Sequence, residues 1–519
     1  MTSLVSLDPL EGGQNKPIFT ASGAIAAGKP VVLNTNGTVA QITGSTASID
    51  ANYGDVDVIQ EATGGSKYSI STDPFNTGKF IVGFEDKRSG QSEKPMVVVG
   101  TTSGSTVTFG TPVALHSGSA GGNGTVVQFD PTYENRVIVS YYAPSTGSTI
   151  GSLTLNGTAV TINSGAAQFY SSNGGKMDPG QMAFDTTKTG YFIAGYTDSA
   201  QTGYYRGGSV AANGTVTLNS QVTIMTHWYI HQFSVRCNKS GQFIISGSKA
   251  NGGSPYCSAA IATMDNSRNV TLGTFYTWNS LSTDKVLKAD WDPNDDTKFI
   301  VGGDHSGSPY PSKVYVATVD GTAISYGSAT TFFDEDIPQK SLIRFNPNPT
   351  STGEFAIIYH ETGLSPNLQM RVARCSYTGT TITVHQTYEI YAEYGYNEVT
   401  AEFDISTGVL YIVNRYDNGS SASNPNWGRL WKMQFENKPS NLTTTNLIGV
   451  ADEAIADGAT GRVNTWGSVN STQSGMTIGS DYYAQHDGNI TISNAANSGQ
   501  QLLGKAISAT KLNIKDYTG

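Results

Sequence analysis

The chain has 519 residues, a formal net charge of −10, 14% charged residues and 59 glycines. That balance argues against a nucleic-acid partner, which needs a basic footprint, and no apolar run is long enough to span a bilayer as a helix. The length exceeds one ordinary domain, and the three cysteines (Cys237, Cys257, Cys375) lack metal-site spacing and predict buried thiols rather than disulfides.

In chain order, residues 1–53 form the first predicted segment. Its start, MTSLVSLDPLEGG, lacks the charged and apolar regions of a signal peptide. Gly28-Lys29-Pro30 then precedes a VVL strand, and Asn34-Thr35-Asn36-Gly37 predicts a hairpin turn. Val56-Asp57-Val58-Ile59-Gln60 has strand character and stands just ahead of a repeat region.

That region, residues 54–438, writes one pattern seven times: a short apolar strand, an Asp or Asn, a turn, and a second strand of aromatic and β-branched residues. The first copy is STDPFNTGKFIVGFED (71–86) and the fifth is DWDPNDDTKFIVGGDH (290–305). The anchors Asp73, Asp130, Asp185, Asn238, Asp292, Asn346 and Asp404 are spaced by 57, 55, 53, 54, 54 and 58 residues. Asp or Asn at a turn start accepts a hydrogen bond from the backbone two residues on. Gly78, Gly190, Gly241, Gly353 and Gly408 are expected at positive φ in these turns. Phe80, Phe192, Phe243, Phe299 and Phe355 recur at one strand-two position and are expected between neighbouring repeats.

The sixth repeat shows four strands: 341–345, 355–361, 368–377 and 382–391. Four strands in each of seven stacked repeats predict an all-β fold, a seven-bladed β-propeller. The seventh repeat shows only three strands (399–403, 410–416 and 429–434), so Val56–Gln60 is expected to supply its fourth and latch the ring. Residues 439–519 carry short strands separated by Gly and Asp turns. Neither end has enough apolar positions for its own core. Together they predict a small β-barrel or sandwich with the propeller inserted between its strands.

The strings A-G-K-P-V-V-L-N-x-N-G-T-V (27–39), I-G-V-A-x-x-A-I-x-x-G-x-x-G-x-V (448–463), G-S-x-Y-Y-x-x-x-D-G (479–488) and L-x-G-K-A-I-S-A-T-x-L-x-I (502–514) resemble a module of tailed-phage virion proteins, especially structural proteins of marine phages and cyanophages. The resemblance covers about 100 residues of the two ends. It implies a virion component made in the host cytoplasm, present as a homo-oligomer or in many copies, and joined to other virion proteins through the split domain. It leaves tail fibre, tail-tip adhesin and capsid decoration open, and it supplies no catalytic residue.

Blade topology puts the loops after strands two and four on one face. There the sequence offers His227-Trp228-Tyr229-Ile230-His231, Tyr256, Tyr310, Tyr394, Tyr396 and Trp427, with Asp304, His305 and Glu361 at strand-two ends. Aromatic platforms beside carboxylates suit sugars, so host-surface polysaccharide is the expected ligand. The alternative is that these residues fill gaps between blades and cover the channel mouth. A glycosidase needs two carboxylates at a set separation, and Asp86, Asp198, Asp304, Glu361 and Asp417 are the candidates. Nothing in their spacing fixes a pair, so no catalytic residue is expected. His227 and His231 suit zinc only on a helix, and no metal or other cofactor motif is evident.

Overall fold

The computed structural model describes residues 15–43, 56–57, 68–86, 94–103, 106–117, 124–143, 147–171, 177–178, 180–198, 202–225, 233–251, 254–279, 286–304, 311–335, 337, 341–347, 353–361, 369–391, 395–416, 427–434, 441–443, 445–485, 488–492 and 501–515. Among them there is no helix, and the strands form nine antiparallel sheets. The chain divides into two compact units, Met1–Ser48 with Glu436–Gly519, and Ile49–Phe435.

Seven of the sheets belong to the larger unit, and each is a meander. Their inner strands are Ser69–Thr72, Val126–Phe129, Met182–Phe184, Ser234–Cys237, Asp290–Trp291, Leu342–Phe345 and Gly395–Phe403. Each inner strand contacts that of the next sheet, and the seventh contacts the first. In the sixth sheet the strands are Leu342–Phe345, Glu354–Glu361, Gln369–Thr378 and Thr381–Tyr391, within a residue of the sequence expectation. In the first five sheets the outer strand is broken in two. Thr106–Phe109 and Val113–Ala114, for example, both pair with Lys94–Ser103. The seventh sheet takes its outer strand from ahead of the first: Val56 pairs with Leu430 and Asp57 with Arg429.

The turns form for a local reason. The anchor carboxylate accepts the backbone N–H two residues on: Asp130 from Thr132 at 2.8 Å, Asp185 from Thr187 at 2.9 Å, Asp292 from Asn294 at 2.7 Å and Asp404 from Ser406 at 3.0 Å. Asn238 does the same with Ser240 at 3.1 Å. Gly78 closes the first turn at φ 73°, and a Cβ there would lie 2.9 Å from the Thr102 carbonyl oxygen. In the second turn Asn135 takes the left-handed conformation instead, at φ 61°.

The aspartate anchors are buried charges, so they need partners. Arg136 donates from Nε (2.8 Å) and Nη2 (2.5 Å) to Asp130 Oδ2. Lys79 pairs with Asp73 at 3.2 Å and Lys188 with Asp185 at 2.9 Å. Asp404 reaches the adjoining sheet, where Gly78 N–H donates to its Oδ2 at 2.6 Å.

Between sheets the filling is apolar. Phe80 packs with Tyr411, Val413 and Leu430 of the seventh sheet, its ring centroid 5.0 Å from that of Tyr411. Phe192, Phe243, Phe299 and Phe355 likewise pack on the preceding sheet, and all five are fully buried. A small residue on strand three stands opposite: Gly100 to Phe80, Gly208 to Phe192, Ala262 to Phe243 and Ala317 to Phe299. A Cβ on Gly100 would come within 2.3 Å of the Phe80 ring, so the pair trades volume across the strands.

The smaller unit interleaves the two chain ends. Its first sheet runs Ile18–Thr20, Thr460–Asn464, Leu447–Ala451, Pro30–Leu33, Val39–Gln41, so strands from the start pair with strands from the end. The Asn34–Gly37 turn joins Pro30–Leu33 to Val39–Gln41, with Gly37 N–H donating to the Asn34 carbonyl at 3.0 Å. A second sheet runs Val469–Asn470, Lys511–Ile514, Gln501–Ser508, Asp481–Ala484, Ile490–Thr491. Val32, Leu447 and Val450 of the first sheet share one core with Tyr482, Leu503 and Leu512 of the second.

Phe80→Ala is expected to lower stability by about 3–5 kcal/mol, the range for a buried aromatic truncated in a packed core. Phe75→Ala, 47% exposed on the same turn, should stay within about 0.5 kcal/mol of the parent. Urea unfolding of the two variants side by side checks the contrast.

Candidate functional site

Most of the loop-face aromatics fall outside the described residues: His227, Trp228, Tyr229, His231, His305, Tyr310 and Tyr394, as does Asp417. Three others stand in strands rather than loops. Tyr256 lies in Ser254–Met264, half-buried and opposite Lys249, because only two residues separate that strand from Gln242–Asn251. Tyr396 lies in Gly395–Phe403, and Trp427 opens Trp427–Gln434, paired with Tyr416. Pro255, which suggested a loop, is the second residue of its strand, where a missing N–H is tolerated.

The strand-two carboxylates are engaged in the fold. Asp304 is 0% exposed. Its Oδ1 accepts from Ser312 Oγ (2.8 Å) and Ile337 N–H (3.2 Å), while Asn279 Nδ2 donates to its carbonyl oxygen at 2.8 Å. Asp198 accepts from Thr202 N–H at 2.9 Å and from the Tyr204 hydroxyl at 3.2 Å. Glu361 pairs with Arg371 at 2.6 Å. Glu85 accepts from Gly124 N–H at 2.7 Å, and Asp86 beside it is 2% exposed.

The best-described cavity lies at the anchor-turn end of the inner strands. It holds ≈ 290 Å³. All seven repeats supply its rim from the residue after the anchor: Pro74, Pro131, Thr186, Lys239, Pro293, Pro347 and Ile405. Four prolines make that rim stiff and poor in N–H donors. Below it, the residues two before the anchors line the wall. Gln128 and Ala183 are neutral, while Arg236, Asp290 and Glu402 are charged, with Arg344 beside them.

The charged wall is a network. Arg236 Nη2 stands 3.4 Å from Glu402 Oε2, and Arg236 Nε stands 3.6 Å from Asp290 Oδ1. Arg344 Nε stands 3.3 Å from the same Glu402 oxygen and donates to the Ala401 carbonyl at 2.7 Å. Asp290 Oδ2 accepts Phe345 N–H at 3.0 Å. Arg236 and Glu402 belong to the fourth and seventh inner strands, so their contact bridges sheets that are not neighbours, across the lining of the cavity. Burial pushes the Asp290 carboxyl up against the pull of Arg236 and Arg344. Burial and the adjacent Arg236 bring the Arg344 guanidinium down to about 10.

None of these four charges was singled out in the sequence, although a signal was present: the position two before each anchor reads Ser71, Gln128, Ala183, Arg236, Asp290, Arg344, Glu402. Charge on an inner strand is unusual unless it is paired or functional.

No family model matches the chain, and no curated protein matches it. Among solved structures it is similar to Sqt1 from Chaetomium thermophilum, at 9% identity and TM-score 0.44, covering 72% of this chain and 91% of that one. It is also similar to the periplasmic gluconolactonase of Pseudomonas aeruginosa (10%, TM-score 0.42, 73% and 98% covered). The β-propeller domain of the trilobed protease from Pyrococcus furiosus is a third (10%, TM-score 0.39, 72% and 97% covered). Likeness at this level carries nothing about activity.

His360, next to Glu361, is 1% exposed, and burial drops its imidazole from the ordinary 6.5 to about 4. The unfolded chain binds more protons between those values. Stability from this group is therefore complete above pH 6.5 and is lost as pH falls toward about 4, by about 3 kcal/mol in all. His360→Gln should flatten that part of the acid limb, read as urea midpoints at about pH 7 and about pH 4.5.

Proposed function

We propose that this chain is a recognition protein of a tailed-phage virion, a seven-bladed propeller that binds rather than catalyses and is carried on a small domain built from both chain ends. The observation that carries the reading is the cyclic order of the seven inner strands, with the seventh sheet completed by Val56–Asp57. A ring latched in this way has no open inner edge and presents seven sets of loops as one surface. The interleaving of Pro30–Leu33 with Leu447–Ala451 supports an inserted propeller, and the strings at both ends resemble the phage module.

Binding is favoured over glycan cleavage because, among the candidate carboxylates in the described residues, Asp198 is held by Thr202 and Tyr204 and Glu361 by Arg371. A general acid or nucleophile must keep a carboxylate oxygen for substrate. The ligand is host-surface polysaccharide, met by the loop face through Trp228, Tyr229 and their neighbours. The split domain attaches the protein to other virion proteins or to sister copies.

The full chain should bind cells of the host and their purified polysaccharide saturably. Trp228→Ala or Tyr229→Ala should weaken that binding about tenfold or more, as loss of an aromatic anchor does. Binding without dependence on either residue would move recognition away from the loop face. Release of reducing ends would instead point to a depolymerase. Absence of binding, with many copies per virion, would point to a decoration protein.

A further inference from the structure

The cavity at the anchor-turn end stands apart from the loop face, and its charges cancel. Arg236 and Lys239 line it together with Asp290, Asp292 and Glu402, and Arg344 stands 3.3 Å from Glu402, so three cations meet three carboxylates. A charged ligand of either sign would gain on one of these groups and lose on that group's own counter-ion.

The pairing does not use every polar atom. Both guanidiniums approach the same oxygen of Glu402, Oε2, at 3.4 Å and 3.3 Å. Its Oε1 accepts no hydrogen bond among the described residues, and the side chain stays 24% exposed. Asp290 is similar, with a side chain 16% exposed. Its Oδ2 takes Phe345 N–H at 3.0 Å, whereas Oδ1 lies 3.6 Å from Arg236 Nε, beyond hydrogen-bond reach. The amide of Gln128, half-buried on the cavity wall, has no side-chain partner among the described residues. Two acceptors and one amide, which both donates and accepts, are thus left over around a space of ≈ 290 Å³.

What these atoms lack is donors without charge, and hydroxyl groups supply them. The space admits one small ring, at the low end of the range of about 300 to 1,000 Å³ for ligand pockets. Pro74, Pro131, Pro293 and Pro347 on the rim offer C–H surface with no N–H to satisfy. We infer that the cavity binds a single neutral pyranose ring. Its hydroxyls donate to Glu402 Oε1 and Asp290 Oδ1 and accept from Gln128 Nε2, and its apolar face lies against the proline rim. The site is independent of the loop face and of what that face recognises.

The test is a ligand-observed NMR titration of the full chain with the methyl glycosides of glucose, galactose and mannose, each beside its uronate and its 2-amino counterpart. At least one neutral glycoside should bind saturably with Kd on the order of 1 mM, the range for so few atoms. The uronate and the amino sugar of that ring should each bind about fivefold more weakly, the size of one adverse charge contact. Gln128→Leu, which removes no hydrogen bond of the fold, should weaken the neutral glycoside about threefold to tenfold, the loss of one hydrogen bond, with an unchanged urea midpoint. Trp228→Ala should leave this Kd unchanged, so the cavity and the loop face can fail separately. No saturable binding by any neutral glycoside at about ten times that Kd overturns the inference. So does tighter binding of a charged counterpart, an unchanged Kd in Gln128→Leu, or a Kd that moves with Trp228→Ala.

Discussion

Each of the seven sheets in the larger unit has an inner strand with one edge that no strand of its own sheet covers. Its backbone N–H and C=O groups lie inside the molecule, where an unpaired polar group is costly. Side chains of the neighbouring inner strand meet that need. Ser69 Oγ donates to the Thr125 carbonyl at 2.7 Å and accepts Val127 N–H at 3.0 Å. Ser71 Oγ accepts Phe129 N–H, and Ser234 Oγ accepts Ala289 N–H. Asp290 accepts Phe345 N–H, Arg344 donates to the Ala401 carbonyl, and Thr72 donates to the Phe403 carbonyl. The last of these links the seventh sheet to the first. The rest of the fold follows from this requirement, because it sets the spacing at which neighbouring sheets meet.

Given that spacing, apolar filling does the remaining work. The strand-two Phe fits because strand three offers Gly or Ala opposite, or Cys375 opposite Phe355, and it reaches the preceding sheet for the same reason. The anchors complete the arrangement at one end. Their turns are closed by backbone hydrogen bonds and their second oxygens by Lys, Arg, Tyr or the next turn. The same residues that satisfy backbone groups also furnish the candidate site. Asp290 and Arg344 cap inner-strand backbone and, with Arg236 and Glu402, form the charged wall of the cavity. Structural need explains their burial, since each cation of the wall faces a carboxylate of it.

Much of the strand plan was legible because it is local. Alternation and turn residues placed the sixth sheet within a residue, and the strand character of Val56–Gln60 together with a missing fourth strand pointed to the pairing with Trp427–Gln434. The recurring Phe and the positive-φ glycines were legible for the same reason. The broken outer strands of the first five sheets were not, since either piece alone fits a strand or a loop. Tyr256, Tyr396 and Trp427 were read as loop residues because proline or glycine stood near them, and the extension of their strands by pairing with the neighbouring strand overrode that signal.

Sequence by itself determined the repeat, the turns and the apolar face of each strand, since these depend on residues a few positions apart. Tertiary structure alone decided which distant side chains share a space. Arg236 and Glu402 are 166 residues apart and meet only because the inner strands come round in order. Asp304 looks like a strand-end acid in the sequence, yet contacts from the Asn279, Ser312 and Ile337 regions enclose it. The physical reason is the same in both cases. A pattern along the chain specifies which face of a strand is apolar, but the partner of a charged group is set by how the sheets are brought together.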